Sequence, residues 1–166
     1  MDTAHYLEKF QYAANRVDKS LLAANKLEAA FGLYQQDSAF LKLYKKSWAS
    51  GGQDPLIAET RIFFSIWTND TALKQHKLMY NIHAFKLRKL PGYTIESRKF
   101  AEIFRQLFKQ FAHQWPNVST NYGPLTLMQG WVKTGSNPLE NEILNLSSNF
   151  FEIADLIEAA LIPFKR

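Results

Sequence analysis

Between residues 97 and 115 the apolar side chains Phe100, Ile103, Phe104, Leu107, Phe108, Phe111 and Trp115 recur at intervals of three and four. At the α-helical period this spacing lays them along one wide stripe. Arg98, Lys99, Glu102, Arg105, Gln106 and Lys109 fall on the opposite side. Thr94 or Ser97 can cap the start, and Pro116 ends the segment. A helix with such a stripe has to bury it against another element, so its partners set the fold class.

Helical spacing is also the reading for nearly every other segment. Leu7, Phe10, Ala14, Val17, Leu21 and Ala24, then Leu27, Ala30 and Phe31 after a slip in register, predict one helix over 3–31 or two joined near Asp18, with Gly32 as the stop. Asp37 opens a short helix carrying Phe40, Leu41, Tyr44 and Trp48, ended by the loop Ser50-Gly51-Gly52-Gln53. Asp54-Pro55 starts a third, with Leu56, Ile57, Phe63, Phe64, Ile66 and Trp67. Asn69 or Asp70 caps a fourth, which runs to Leu90 and breaks at Pro91-Gly92. After the polar segment 116–124, a short sixth helix from Pro124 would bury Leu125, Met128, Trp131 and Val132. The last helix starts at Asn137-Pro138, carries Leu139, Ile143, Leu146, Phe150, Ile153, Ile157 and Leu161 inward, and closes at Pro163.

No segment alternates with period two for long enough to argue a sheet; only 92–95 and 117–119 are expected to be briefly extended. The expectation is therefore an all-α fold: one domain over 1–166, a bundle or orthogonal array of about seven helices. A chain of 166 residues can bury enough surface to stand without staples, and 13 Phe, 7 Tyr and 4 Trp supply a large core.

Cysteine is absent, which excludes disulfides, thiolate metal sites and cysteine nucleophiles and suits a reducing compartment. The opening MDTAHYLEKF lacks the basic and apolar regions of a signal peptide, and no stretch is apolar for long enough to span a bilayer. A soluble, cytoplasmic chain without a membrane partner is expected. The triplets at Asn69, Asn117 and Asn145 match the glycosylation pattern but carry no weight in such a compartment.

Charge is unevenly distributed. The net charge is +5, yet residues 74–109 hold nine bases and two acids, whereas residues 1–73 are balanced and 137–166 are acidic. If the fourth and fifth helices form a hairpin through Pro91-Gly92, their polar sides make one positive surface. Lys86, Arg88, Lys89, Arg98, Lys99 and Arg105 are its candidate charge contacts. Such a surface predicts a binding module for an anionic partner, either nucleic acid, through its phosphates, or an acidic protein.

Catalytic signatures are missing. His76 and His83 are seven apart, about two helical turns, too far to share a metal ion. Glu152, Asp155 and Glu158 fit a solvated helix face, and Glu140 and Glu142 suit a helix N-terminus. No nucleophile elbow, phosphate-binding glycine loop or dinucleotide fingerprint occurs. Neither a metal nor a cofactor is expected. Two other readings stay open. One is an enzyme or small-ligand receptor with a pocket near the 115–131 loop, drawing on His83, Asn121, Tyr122 and Trp131, with Arg88 nearby. The other is an assembly protein that forms a homo-oligomer through an exposed apolar patch.

Overall fold

The computed structural model describes residues 3–51 and 54–166. Five strands form one antiparallel sheet: β1 (Glu28–Tyr34), β2 (Ser38–Tyr44), β3 (Arg61–Thr68), β4 (Lys77–Phe85) and β5 (Thr126–Lys133). They are hydrogen-bonded in chain order, β1-β2-β3-β4-β5. Around them run α1 (Thr3–Arg16), α2 (Lys19–Ala24), α3 (Asp70–Lys74), α4 (Ser97–Phe108) and α5 (Leu139–Leu161). Among the described residues, no helix is long and apolar enough to cross a membrane.

This architecture overturns the all-α expectation. The predicted helical bundle is a two-layer α/β structure, and five of its helices are strands in whole or part. The segment expected to be helical through residue 31 leaves the helix at Lys26, whose φ of 56° is left-handed. There the Lys26 N–H donates to the Ala23 carbonyl and the Leu27 N–H to the Leu22 carbonyl. That is a Schellman stop made without glycine. Gly32 ends no helix. It sits within β1 opposite Phe40, where an added Cβ would come 3.1 Å from the Phe40 ring.

The second expected helix is β2, and the third gives way to β3. The fourth stops after α3 at His76, also left-handed with φ 58°, and continues as β4. The sixth is β5. The basic helical hairpin therefore does not exist: β4 and α4 stand where its two arms were expected. Gly52 and Gln53 of the predicted 50–53 loop, and Met1 and Asp2 of the opening segment, lie outside the described residues.

The long helices agree better with the spacing. On α5, Ile143, Leu146, Phe150, Ile153, Ile157 and Leu161 are buried, and on α4, Phe100, Phe104 and Phe108. These helices and α1 lie on one face of the sheet. α1 packs on β1 and β2, α5 on β3, and α4 on β5, with α5 between the other two. The strand residues beneath them are Leu41, Leu43, Ile62, Phe64, Ile66, Leu78, Tyr80 and Ile82, all essentially without exposure. Phe64 stacks on Phe150 with centroids 4.5 Å apart, and Trp115 and Trp48 pack edgewise on this pair. Burying each ring contributes about 1.5–3 kcal/mol. Two polar groups in this layer find partners: the Trp48 indole donates to Glu158 Oε1 at 2.8 Å, and Thr60 Oγ1 donates to the Lys86 carbonyl at 2.8 Å, whereas the Trp115 indole N–H has none among the described residues. With α1, α4 and α5 on one side, the other face of the sheet carries none of the three long helices.

Candidate functional site

Strand side chains alternate between faces, so the residues between the buried ones line the open face. The strand register arranges them in transverse rows. One row runs Phe40, Trp67, Met79 and Trp131 across β2 to β5. The next runs Lys42, Ser65, Asn81 and Gln129. A third pairs Phe63 with His83, and a fourth pairs Arg61 with Phe85. A polar row thus lies between aromatic ones.

Together with the β1–β2 turn, these rows form a cavity of about 510 Å³. That volume lies in the range of small-molecule sites. Its wall includes Lys42, Arg61, His83, Ser65, Asn81 and Gln129 among Tyr34, Phe40, Phe63, Trp67 and Phe85. Asp37, exposed in the turn, is the one acidic residue of the wall among the described residues.

Aromatic faces hold the two cations. The Lys42 ammonium lies 4.7 Å from the Phe40 centroid and 4.5 Å from that of Phe63. The Arg61 guanidinium lies 5.3 Å from Phe63 and 4.9 Å from Phe85. Ring quadrupoles attract cations but replace only part of the lost hydration. Among the described residues neither cation reaches a carboxylate. Arg61 Nη1 donates to the Ala58 carbonyl, while its Nε has no partner among the described residues. Asn81 is 3% exposed, and its Oδ1 also lacks a partner.

Burial, reinforced by the Arg61 charge, lowers the Lys42 pKa to about 8. Burial likewise works against the Arg61 charge. His83 is held below the usual histidine range, first by burial and then by the charges of Lys42 and Arg61, against an opposing hydrogen bond to Leu125. Its Nδ1 lies 3.3 Å from the Leu125 carbonyl oxygen, which can only accept. Thr126 Oγ1 lies 3.2 Å from the same nitrogen, so the ring is anchored through Nδ1. The site can do three things: attract an anion, cover an apolar or flat body with rings, and offer hydrogen bonds through Ser65, Asn81 and Gln129.

Of the residues singled out from sequence, His83 lies in this wall. Trp131 is on the same sheet face, beyond the cavity beside Met79, with Lys77 Nζ 4.7 Å over its ring. Asn121 and Tyr122 are exposed in the loop before β5 and take no part in the wall. Lys86 and Lys89 both reach Glu59, at 2.8 and 3.2 Å, while Arg88 is exposed between them. Arg98 and Lys99 are exposed at the start of α4, and Lys99 lies 3.7 Å from Glu96.

Arg105 is engaged by backbone. Its Nε donates to the Leu127 carbonyl, and its Nη2 lies within hydrogen-bond distance of those of Tyr122, Gly123 and Thr126. Sequence reasoning missed Lys42, Arg61, Ser65, Asn81 and Gln129. The available signal was a lone polar residue at the middle of each of three short apolar runs: Lys42 in SAFLKLY, Ser65 in RIFFSIWT and Asn81 in KLMYNIHAF.

No family model matches the chain, and neither the curated proteins nor the solved structures contain a match.

Proposed function

We propose that this protein binds a small organic anion in the open-face cavity. The carboxylate or phosphate group lies against Lys42 and Arg61, and a flat or apolar body rests on the surrounding rings. The observation that carries this reading is the pair of half-buried cations with no carboxylate in reach among the described residues. A partly desolvated charge without a counter-ion is unfavourable, and a bound anion removes that penalty. Ser65, Asn81 and Gln129 supply hydrogen bonds that orient the ligand. This differs from the expected nucleic acid or acidic protein on a basic helical hairpin: the partner here is a small anion, and its support lies in two cations of the balanced part of the chain. A chain without cysteine suits this role in the cytoplasm.

Titration calorimetry with a panel of aromatic carboxylates, aliphatic carboxylates and phosphate monoesters tests the proposal. Lys42→Met and Arg61→Met should each weaken binding about tenfold or more, the value of one charge-assisted hydrogen bond. Lys86→Met, at an exposed residue outside the cavity wall, should leave affinity unchanged. Equal affinity of the cavity variants and the parent, or no binding by any panel member, removes the reading.

A further inference from the structure

We propose that Lys42 is a nucleophile that captures the carbonyl group of an anionic aldehyde or ketone as a reversible imine. This deepens the anion-binding reading and rests on it: Arg61 holds the anionic group while Lys42 bonds to the carbonyl carbon.

Three features of the site support the assignment. First, the amine is fixed on the cavity wall between the Phe40 and Phe63 rings, 4.7 and 4.5 Å from their centroids. No carboxylate among the described residues holds its proton by an ion pair. Second, Arg61 brings another positive charge to the same wall. Desolvation and a neighbouring cation are the two means by which a lysine becomes nucleophilic near neutrality. With a pKa of about 8, roughly one Lys42 in ten is a free amine at neutral pH, against about one in three thousand for an ordinary lysine. Third, the transverse row that starts at Lys42 continues through Ser65 to Asn81, whose buried Oδ1 has no partner among the described residues. The addition product carries an O–H and the protonated imine an N–H, and both are donors suited to that acceptor.

The chemistry closes without an oxidant or reductant. The Lys42 lone pair forms the N–C bond while the carbonyl π pair moves to oxygen. A proton passes from nitrogen to that oxygen, giving a carbinolamine. The hydroxyl then leaves with a second proton as water, the C–O bond breaks, and the C=N bond forms. Water reverses each step. Besides Arg61, the titratable groups sharing the wall are His83, Asp37 and Tyr34.

Pyridoxal 5′-phosphate is a suitable probe, because it joins an aldehyde, an aromatic ring and a phosphate. Pyridoxine 5′-phosphate, its alcohol counterpart, cannot form an imine. With about one equivalent of the aldehyde followed by borohydride reduction, peptide mass spectrometry should find Lys42 the most heavily modified lysine. Excess pyridoxine 5′-phosphate should protect Lys42 and no other lysine. Lys42→Arg should abolish imine absorbance while keeping affinity for the alcohol within about threefold. If the parent binds the alcohol but Lys42 carries no more label than surface lysines, imine capture is overturned and anion binding stands. If neither probe nor any member of the anion panel binds and Lys42 is unlabelled, both proposals fail.

Discussion

Gly130 of β5 lies directly against the phenol of Tyr80 on β4, its partner across the strands. The Tyr80 hydroxyl donates to the Pro116 carbonyl at 2.6 Å, and an added Cβ at residue 130 would overlap that hydroxyl. The absent side chain is thus what lets a buried tyrosine reach the loop that follows α4. Gly130→Ala should cost about 1–3 kcal/mol, the range for forcing extra volume into a packed site. Tyr80→Phe should cost about 1–2 kcal/mol by leaving the Pro116 carbonyl without its donor. Urea denaturation of the two single variants and the double variant checks this. Because the groups touch, the double variant should lose less than the sum.

Lys42 gives anion binding a definite pH dependence. Its ammonium form attracts the anion, so noncovalent affinity should be constant below about pH 8 and fall above it, by no more than the Lys42→Met variant loses. Stability of the empty protein runs the other way. The folded state releases this proton at about 8 and the unfolded chain near 10.5, so between those values the unfolded chain binds more protons and stability rises with pH. The burial penalty is fully present below about 8. It has an upper bound of about 3 kcal/mol, which the residual exposure of the side chain reduces. Lys42→Met should therefore be more stable than the parent at about pH 7 and should lack the slope. Chemical denaturation at several pH values measures both.

Arg105 should act on stability and not on affinity. Its donors converge on the carbonyls of residues 122, 123, 126 and 127, which fixes the loop where it enters β5. A lysine lacks that planar fork, so Arg105→Lys should destabilise by about 2–3 kcal/mol and raise hydrogen exchange across 119–127. Affinity for the anion panel should stay within about twofold. A large loss of affinity with unchanged stability would instead make Arg105 a ligand contact.

The β1–β2 turn is strained at the rim of the cavity. Gln35 and Gln36 have φ of 52° and 64°, left-handed values that cost a side-chain-bearing residue about 1–2 kcal/mol. Gln36→Gly should raise stability by about 0.5–1 kcal/mol, readable as an increase in the urea midpoint. If this strain holds Tyr34 and Asp37 against the ligand, the same substitution should also weaken anion binding.

The helices α4 and α5 were legible because each has one apolar face and one polar face. The strands were not, because the open face of the sheet is aromatic. β2 alternates Ala39, Leu41 and Leu43 with Phe40, Lys42 and Tyr44, and in β3 both faces are apolar except at Arg61, Ser65 and Thr68. A period of two in polarity disappears when both faces are lined with rings, and threes and fours can then be picked from a continuous apolar run. Breaks between elements were hidden for a second reason. Lys26, Gln35, Gln36 and His76 adopt the left-handed conformations that glycine or asparagine usually signals. The cavity was illegible for the same cause as the strands. Its cations lie at residues 42 and 61, within apolar stretches of a charge-balanced region, whereas net charge pointed to 74–109.

The strand order equals the chain order, and this bears on how the molecule is made. Each strand pairs with its predecessor, so β1 to β4 can pair in succession as they emerge, and β5 joins only after the long connection that carries α4. The helix layer cannot. α5 packs between α1 and α4 and supplies Phe150 to Phe64, so the centre of the sheet's apolar side has no cover until residues 139–161 have left the ribosome. At about 5–20 residues per second, the nascent chain exposes that surface for several seconds after β3 is complete. Ribosome-bound chains halted before residue 139 should therefore recruit chaperones, and emergence of residues 139–161 should end the association.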